Sequence, residues 1–159
     1  MPATRALGVL AAAGIEHRIH RYSSDQLDHH GSDTYGEAVA ALLGVEPARV
    51  FKTLIAKVDQ RPVVVIVPVS ARLSLRMLAT AASGKRATMA DPDEAQRLTG
   101  YVVGGISPFG QLRKLPAFVD KSALDFSSIF VSAGQRGRQV EVGASALIDH
   151  LTARVERLT

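Results

Sequence analysis

Three stretches of this chain hold residue types and spacings that could do chemistry. The first is Arg49-Val-Phe-Lys52-Thr-Leu-Ile, which puts a lysine in the middle of a strand-like apolar run. Alternation sends Val50, Lys52 and Leu54 to one face and Phe51, Thr53 and Ile55 to the other. A lysine so placed must snorkel out, pair with an acid or line a cavity. In a cavity its ammonium can hold an anionic group or offset negative charge developing in a reaction. The second stretch is Gly104-Gly105-Ile106-Ser107-Pro108. Both glycines are free to take positive φ, and the proline fixes φ and donates nothing. A loop of this kind can turn backbone N–H groups outward, toward a carbonyl oxygen, an oxyanion or a phosphate. Read alone, it fits a tight turn between strands equally well. The third stretch, Phe130-Val-Ser132-Ala-Gly134-Gln-Arg136-Gly137, ends an apolar run in a glycine turn, so that Ser132 is either a pocket wall or a strand end.

Other chemistries are poorly supplied. Ser107 does not sit in Gly-x-Ser-x-Gly, because position 109 is Phe, and no base accompanies it; a covalent serine mechanism is not expected. His29-His30 would point to opposite faces of a strand and have no third ligand at helical spacing, so a solvated loop is expected and no metal. There is no Walker loop, no dinucleotide fingerprint and no aromatic pair of an RNA-recognition sheet, and no cofactor is expected. The chain has no cysteine, which excludes disulfides, thiolate catalysis and cysteine zinc sites and fits a reducing, cytoplasmic setting.

The elements that must position these stretches alternate in type. A helix over Thr4–Ala13, stopped by Gly14, leads to a strand around Arg18–Tyr22 and a polar loop over Ser23–Gly31. Leu7-Gly-Val-Leu-Ala-Ala-Ala-Gly-Ile15 is too short and too lightly flanked for a secretory signal, and no run approaches a membrane span. Asp33 or Thr34 starts a helix carrying Ala38, Leu42 and Leu43, with Gly44 as its stop. Strands are expected at Val50–Val58 and Val63–Val69, joined by Asp59-Gln-Arg-Pro62. Ser74 caps a helix with Leu75, Leu78 and Ala82, and Lys85–Met89 reads as a short strand. Asp91 N-caps a helix beginning at Pro92, with Glu94 placed to close a capping box and Gly100 to cap the end. Strands near Ala117–Asp120, Ser128–Ser132 and Gln139–Val142 precede a last helix over Ala144–Leu158, with Leu147, Ile148, Leu151, Val155 and Leu158 on its inner face. This order implies an α+β fold built on a mixed sheet.

The chain is 159 residues long with 47% hydrophobic residues, enough for one domain, 1–159, with its own core. Nineteen Lys and Arg against fifteen Asp and Glu give a net charge of +4. That excess favours an anionic partner without demanding one. The basic pairs Lys85-Arg86, Arg113-Lys114 and Arg136-Gly-Arg138 are each a solvated surface alone; around one cleft they would contact phosphates.

Taken together, the strand around Lys52, the run Thr99-Gly-Tyr-Val-Val-Gly-Gly-Ile-Ser-Pro108 and the Ser132 turn resemble the signature set of the YbaK/EbsC-type aminoacyl-tRNA deacylases. The likeness is to the bacterial Cys-tRNA(Pro) deacylase branch and runs from Ile19-His-Arg-Tyr22 to Val140-Glu-Val142. It implies a large, strongly curved mixed β-sheet flanked by helices, as in the editing domain of prolyl-tRNA synthetase. It also implies hydrolysis of the aminoacyl ester of a mischarged tRNA, Cys-tRNA(Pro) first among them, with the tRNA acceptor end and prolyl-tRNA synthetase as partners. In that family catalysis rests on position and charge, with a substrate hydroxyl or the cysteinyl thiol taking part. Carried over residue by residue, Lys52 and the loop Gly104, Gly105, Ile106, Ser107 and Pro108 would be catalytic. Tyr22, Thr53, Ser132, Gly134 and Arg136 would bind substrate. Two positions depart from the pattern: Ala133 replaces a glycine, and Gln139 stands where an acidic residue is common. Another amino acid, such as alanine on tRNA(Pro), is the alternative within the class. A catalytically silent tRNA- or synthetase-binding module is the alternative outside it.

Overall fold

The computed structural model describes residues 4–23 and 32–159, with the side chains of 32–34 left aside. The expected polar loop over Ser23–Gly31, apart from Ser23, and the His29-His30 pair lie outside the described residues. Helix α1 (Arg5–Ala12) begins where the Thr4 hydroxyl accepts from the Leu7 amide. It leads to strand β1 (His17–Arg21) and, further on, to helix α2 (Ser32–Leu43). A short 3-10 turn, Pro47–Arg49, feeds β2 (Phe51–Val58), which pairs along its whole length with antiparallel β3 (Arg61–Pro68). Their two-residue link is Asp59-Gln60, both at positive φ, the backbone a hairpin needs to match strand twist. Helix α3 (Leu75–Ala81) is capped by Ser74, as its sequence predicts.

Strand β4 (Ala87–Met89) pairs with β2 only at Ala56, Lys57 and Val58. The stretch of β2 from Phe51 to Ile55 is therefore not laddered by β4, and the candidate site lies along it. Helix α4 (Pro92–Thr99) is capped by the Asp91 carboxylate, which accepts from the Glu94 amide at 2.9 Å, and ends at Gly100 with φ +79. The capping box is not the role of the Glu94 side chain: that carboxylate pairs with Lys57 Nζ at 2.8 Å and ties α4 to β2. Strands β5 (Ala117–Asp120), β6 (Ser128–Ser132) and β7 (Arg138–Gly143) follow, then helix α5 (Ala144–Leu151) and strand β8 (Arg154–Glu156).

The expected single large sheet is two sheets. One has the order β4-β2-β3-β5-β8, with β5 parallel to both neighbours; the other is antiparallel, in the order β1-β7-β6. An isolated parallel bridge, Val50 to Phe130, links them. The last helix is also shorter than its periodicity predicts. Thr152 takes φ +51 and ends it, and Val155 then pairs with Val119 in a parallel ladder. The apolar spacing of Val155 and Leu158 suits either state, and a nonlocal partner decides between them. Alternation along β3 divides the core: Val64 and Ile66 join Phe51, Leu98, Phe109, Val140 and Leu147 on one side, while Val63, Val65 and Val67 join Leu78, Phe118 and Leu158 on the other. No helix among the described residues is long and apolar enough to cross a membrane.

Candidate active site

Between the edge of β2 and its neighbours lies a pocket of about 280 Å³, lined along β2 by residues Val50 to Ile55. Because the strand presents an edge there, neighbours from both of its faces, Lys52 and Thr53 included, line the same space. Helix α2 contributes Tyr35 and Val39, α4 contributes Ala95, and the loop beyond contributes Val103, Gly104 and Ile106. The antiparallel sheet adds Ser132 and Gln139, which register opposite each other in the β6–β7 pair. Among the described lining residues none is Asp, Glu, His or Cys, and the charged one is Lys52. Elsewhere among the described residues, no group of three His, Cys, Asp or Glu is placed to hold a metal.

The loop is a turn with one demanding glycine rather than two. Gly105 N–H donates to the Val102 carbonyl at 2.9 Å, with Gly104 at the third position at φ +93. Positive φ at that position is what such a turn asks of glycine. Gly105 itself has no positive φ; a Cβ on it would lie 3.3 Å from the backbone of Gln135 and Arg136, so it is the place where the loop packs against the β6–β7 turn. Its amide is consumed by the turn and is not directed to a ligand. The Val103 amide donates to Gln96 Oε1 at 3.0 Å, anchoring the loop to α4. Among the described residues the Gly104 and Ile106 amides have no protein acceptor.

Of the residues singled out in the sequence, Lys52, Thr53, Gly104, Ile106 and Ser132 line the pocket, and Gly105, Ser107, Pro108, Tyr22, Gly134 and Arg136 do not. Ser107 is fully buried; its hydroxyl accepts from the Phe109 amide at 3.2 Å and its carbonyl from Gln111 Nε2 at 2.9 Å. Pro108 lines a different hollow, with Arg113 and Lys114. Gly134, at φ +95, leaves room for Tyr101 and Thr4, and its amide donates to Ser132 Oγ at 3.1 Å, which fixes the serine side chain. Arg136 is exposed, with its guanidinium 5.5 Å from the centre of the Tyr35 ring and packed over Gly104. Tyr22 stands behind Gln139, whose Nε2 donates to the Tyr22 hydroxyl at 3.4 Å. Ala133 fits without strain, fully buried, with its carbonyl accepting from the Thr4 hydroxyl at 2.5 Å. Arg138 is 4% exposed and donates to Gln135 Oε1, so the Arg136-Gly-Arg138 pair is not a two-residue surface patch.

In sequence Gln139 reads only as a departure from the family pattern; the structure makes it a pocket residue. Tyr35, also missed, contributes both to the pocket and to the perch of Arg136. The signal for Gln139 was the register: with the β6–β7 turn spanning 133–137, it faces Ser132.

The match that decides the relationship covers most of this architecture: residues 29–149 fit the model of the aminoacyl-tRNA editing domain. This chain belongs to that family. The editing domain here is 36% identical over 124 residues, 77% of the chain and 76% of the relative, to the Enterococcus faecalis protein named "Putative Cys-tRNA(Pro)/Cys-tRNA(Cys) deacylase EbsC". It is 32% identical over 109 residues, 65% of each, to the multifunctional Ser/Thr-tRNA deacylase ProXp-y of Escherichia coli K12. Its fold matches a crystal structure titled as a "putative trans-editing enzyme for prolyl tRNA synthetase", with TM-score 0.84, 22% identity and coverage of 98% of this chain and 94% of that one. The editing domain is thus an α+β hydrolase of the aminoacyl-tRNA deacylase class.

Proposed function

We propose that this chain, acting as one unit over residues 1–159 in the cytoplasm, hydrolyses the ester between a small misplaced amino acid and the terminal ribose of a tRNA, with Cys-tRNA(Pro) as the leading substrate. The observation that carries the reading is the pocket: a lysine and residues of a glycine loop bordering one small, largely apolar space. Water adds to the ester carbonyl, the bond to the ribose oxygen breaks, and the proton lost by the water ends on that oxygen, leaving free amino acid and free tRNA. Lys52 offsets the charge that develops, and the Gly104 and Ile106 amides, which have no protein acceptor among the described residues, are donors for the oxyanion. With no Asp, Glu, His or Cys among the described lining residues, the protein's share of the reaction is position and electrostatics, and a group of the substrate accepts the proton. Arg136, exposed beside the loop, contacts phosphate near the acceptor end, and prolyl-tRNA synthetase supplies the choice of tRNA.

The test is release of cysteine from Cys-tRNA(Pro) by purified protein at less than one enzyme per substrate. Multiple turnovers above the buffer rate are expected; binding of tRNA without release would replace the hydrolase with a silent tRNA-binding module.

A further inference from the structure

The loop that borders the pocket also borders a second hollow, of about 380 Å³, set among α1, α5 and the segment from Pro108 to Ala117. Ile106 lines the pocket and Pro108 lines the hollow, so no more than about 7 Å of chain separates the two walls. Ser107, buried between them, accepts from Gln111 Nε2 at 2.9 Å through its carbonyl, and Gln111 is itself a wall of the hollow. Val9, Val64, Leu115 and Leu151 give the hollow an apolar floor. Its rim carries Arg113, Lys114 and His150, all three exposed.

None of the lining residues is Asp or Glu, and no acid among the described residues pairs with Arg113 or Lys114. Two neighbouring cations without an answering carboxylate repel each other, and an anion relieves that repulsion. The hollow beside α3 makes the contrast: Arg76 and Arg157 line it, but Glu156 lines it too. The backbone fixes where the first pair sits, since the Leu112 and Arg113 amides donate to the Thr99 and Leu98 carbonyls at the end of α4, each at 3.1 Å. A phosphate on Arg113 and Lys114, with its sugar carbons over the apolar floor, uses both halves of the hollow. A bare anion would use the rim alone. We propose that this hollow holds the phosphate backbone of the tRNA strand outside the reactive pocket, so that Arg113 and Lys114 supply affinity without reading sequence or touching the ester. This rests on the tRNA-hydrolase reading of the neighbouring pocket.

The experiment compares the wild type, the double variant Arg113→Ala with Lys114→Ala, and a control with the same loss of charge, Arg76→Ala with Arg157→Ala. Melting temperature is measured on each sample. Affinity for tRNA(Pro) and for an unrelated tRNA is taken across a salt series. Turnover is measured on Cys-tRNA(Pro) and on cysteinyl-adenosine, the same ester cut down to a nucleoside without phosphate. The first double variant should weaken both tRNAs by the same factor, about 10-fold, and flatten the plot of log affinity against log salt by about 1 for each lost side chain. Its kcat/KM should fall by a similar factor on Cys-tRNA(Pro), through KM, with no change on cysteinyl-adenosine. The control should follow the wild type on all counts. Should the alanine pair fail to fold, Arg113→Gln with Lys114→Gln keeps more of each stem and carries the same test. Unchanged affinity and salt slope overturn the inference, as does an equal loss in the control, which would mean that only net charge counts. A loss shared by cysteinyl-adenosine also overturns it, because the two side chains would then prop the loop rather than hold RNA. Hydrolysis of neither substrate by the wild type removes the hydrolase reading; the binding series still decides whether the hollow holds RNA.

Discussion

At the scale of single residues, charge is placed with care on the antiparallel sheet. Two positions from Gln139 along β7, Glu141 accepts from Ser128 Oγ at 2.7 Å, lies 3.1 Å from His20 Nε2 and 3.3 Å from Arg49 Nη2. The Ser128 hydrogen bond, followed by His20 and Arg49, holds its carboxyl below the usual range. A group depressed in the folded state stabilises above its unfolded pKa, about 4.3 for Glu, and that contribution disappears as the pH falls through the folded value. Glu141→Gln should therefore melt below the wild type at neutral pH, with the gap closing in acid; melting curves from pH 7 to pH 3 check this. A gap that is constant across that range would mean that the carboxylate charge contributes nothing. Lys52 is a different case. Sequence alone allows it to snorkel, pair or line a cavity, options that do not exclude one another, and it lies on the wall of the pocket.

At the scale of elements, the loop after α4 is held from three sides. Asp91 starts the helix, Gln96 receives the Val103 amide, and the Tyr101 hydroxyl donates to the Phe109 carbonyl at 2.5 Å. Gly104 sits where these constraints leave a positive φ, and a Cβ there would come within 2.5 Å of Arg136 Nε. Gly104→Ala should cost about 1–2 kcal/mol from the left-handed backbone, displace Arg136 and slow deacylation; melting and turnover assays together check it, and normal values in both would show that the loop tolerates the change. The local devices were legible in sequence: the Asp91 and Ser74 caps, the Gly44 and Gly100 stops, and the β2–β3 hairpin all follow from side chains a few residues apart. What escaped was decided by distant partners. Glu94 chose Lys57 over its own helix terminus, and Val155 chose Val119 over a longer α5. Gly105 looked as free as Gly104, yet its amide closes the turn and its Cα faces the β6–β7 turn.

At the scale of the whole molecule, the candidate site exists because two sheets meet at one edge. The Val50–Phe130 bridge brings β2 and β6 together, and the short β4 leaves the adjoining length of β2 to the pocket. The three stretches that converge there are legible in sequence, but the space between the sheets is set by nonlocal register, which is why Tyr35, Val39 and Gln139 carry no local signal for the pocket. The net charge of +4 is also less available than its count suggests, with Arg138 buried and Arg49 spent on Glu141. The direct measurement of the central claim pairs wild type with Lys52→Ala, in single-turnover hydrolysis of Cys-tRNA(Pro) with melting temperature and tRNA affinity taken on the same samples. Loss of this cation should slow hydrolysis by roughly 100-fold or more, the scale of one electrostatic contact to a transition state, with little change in melting. Undiminished hydrolysis by a folded Lys52→Ala protein would contradict the account.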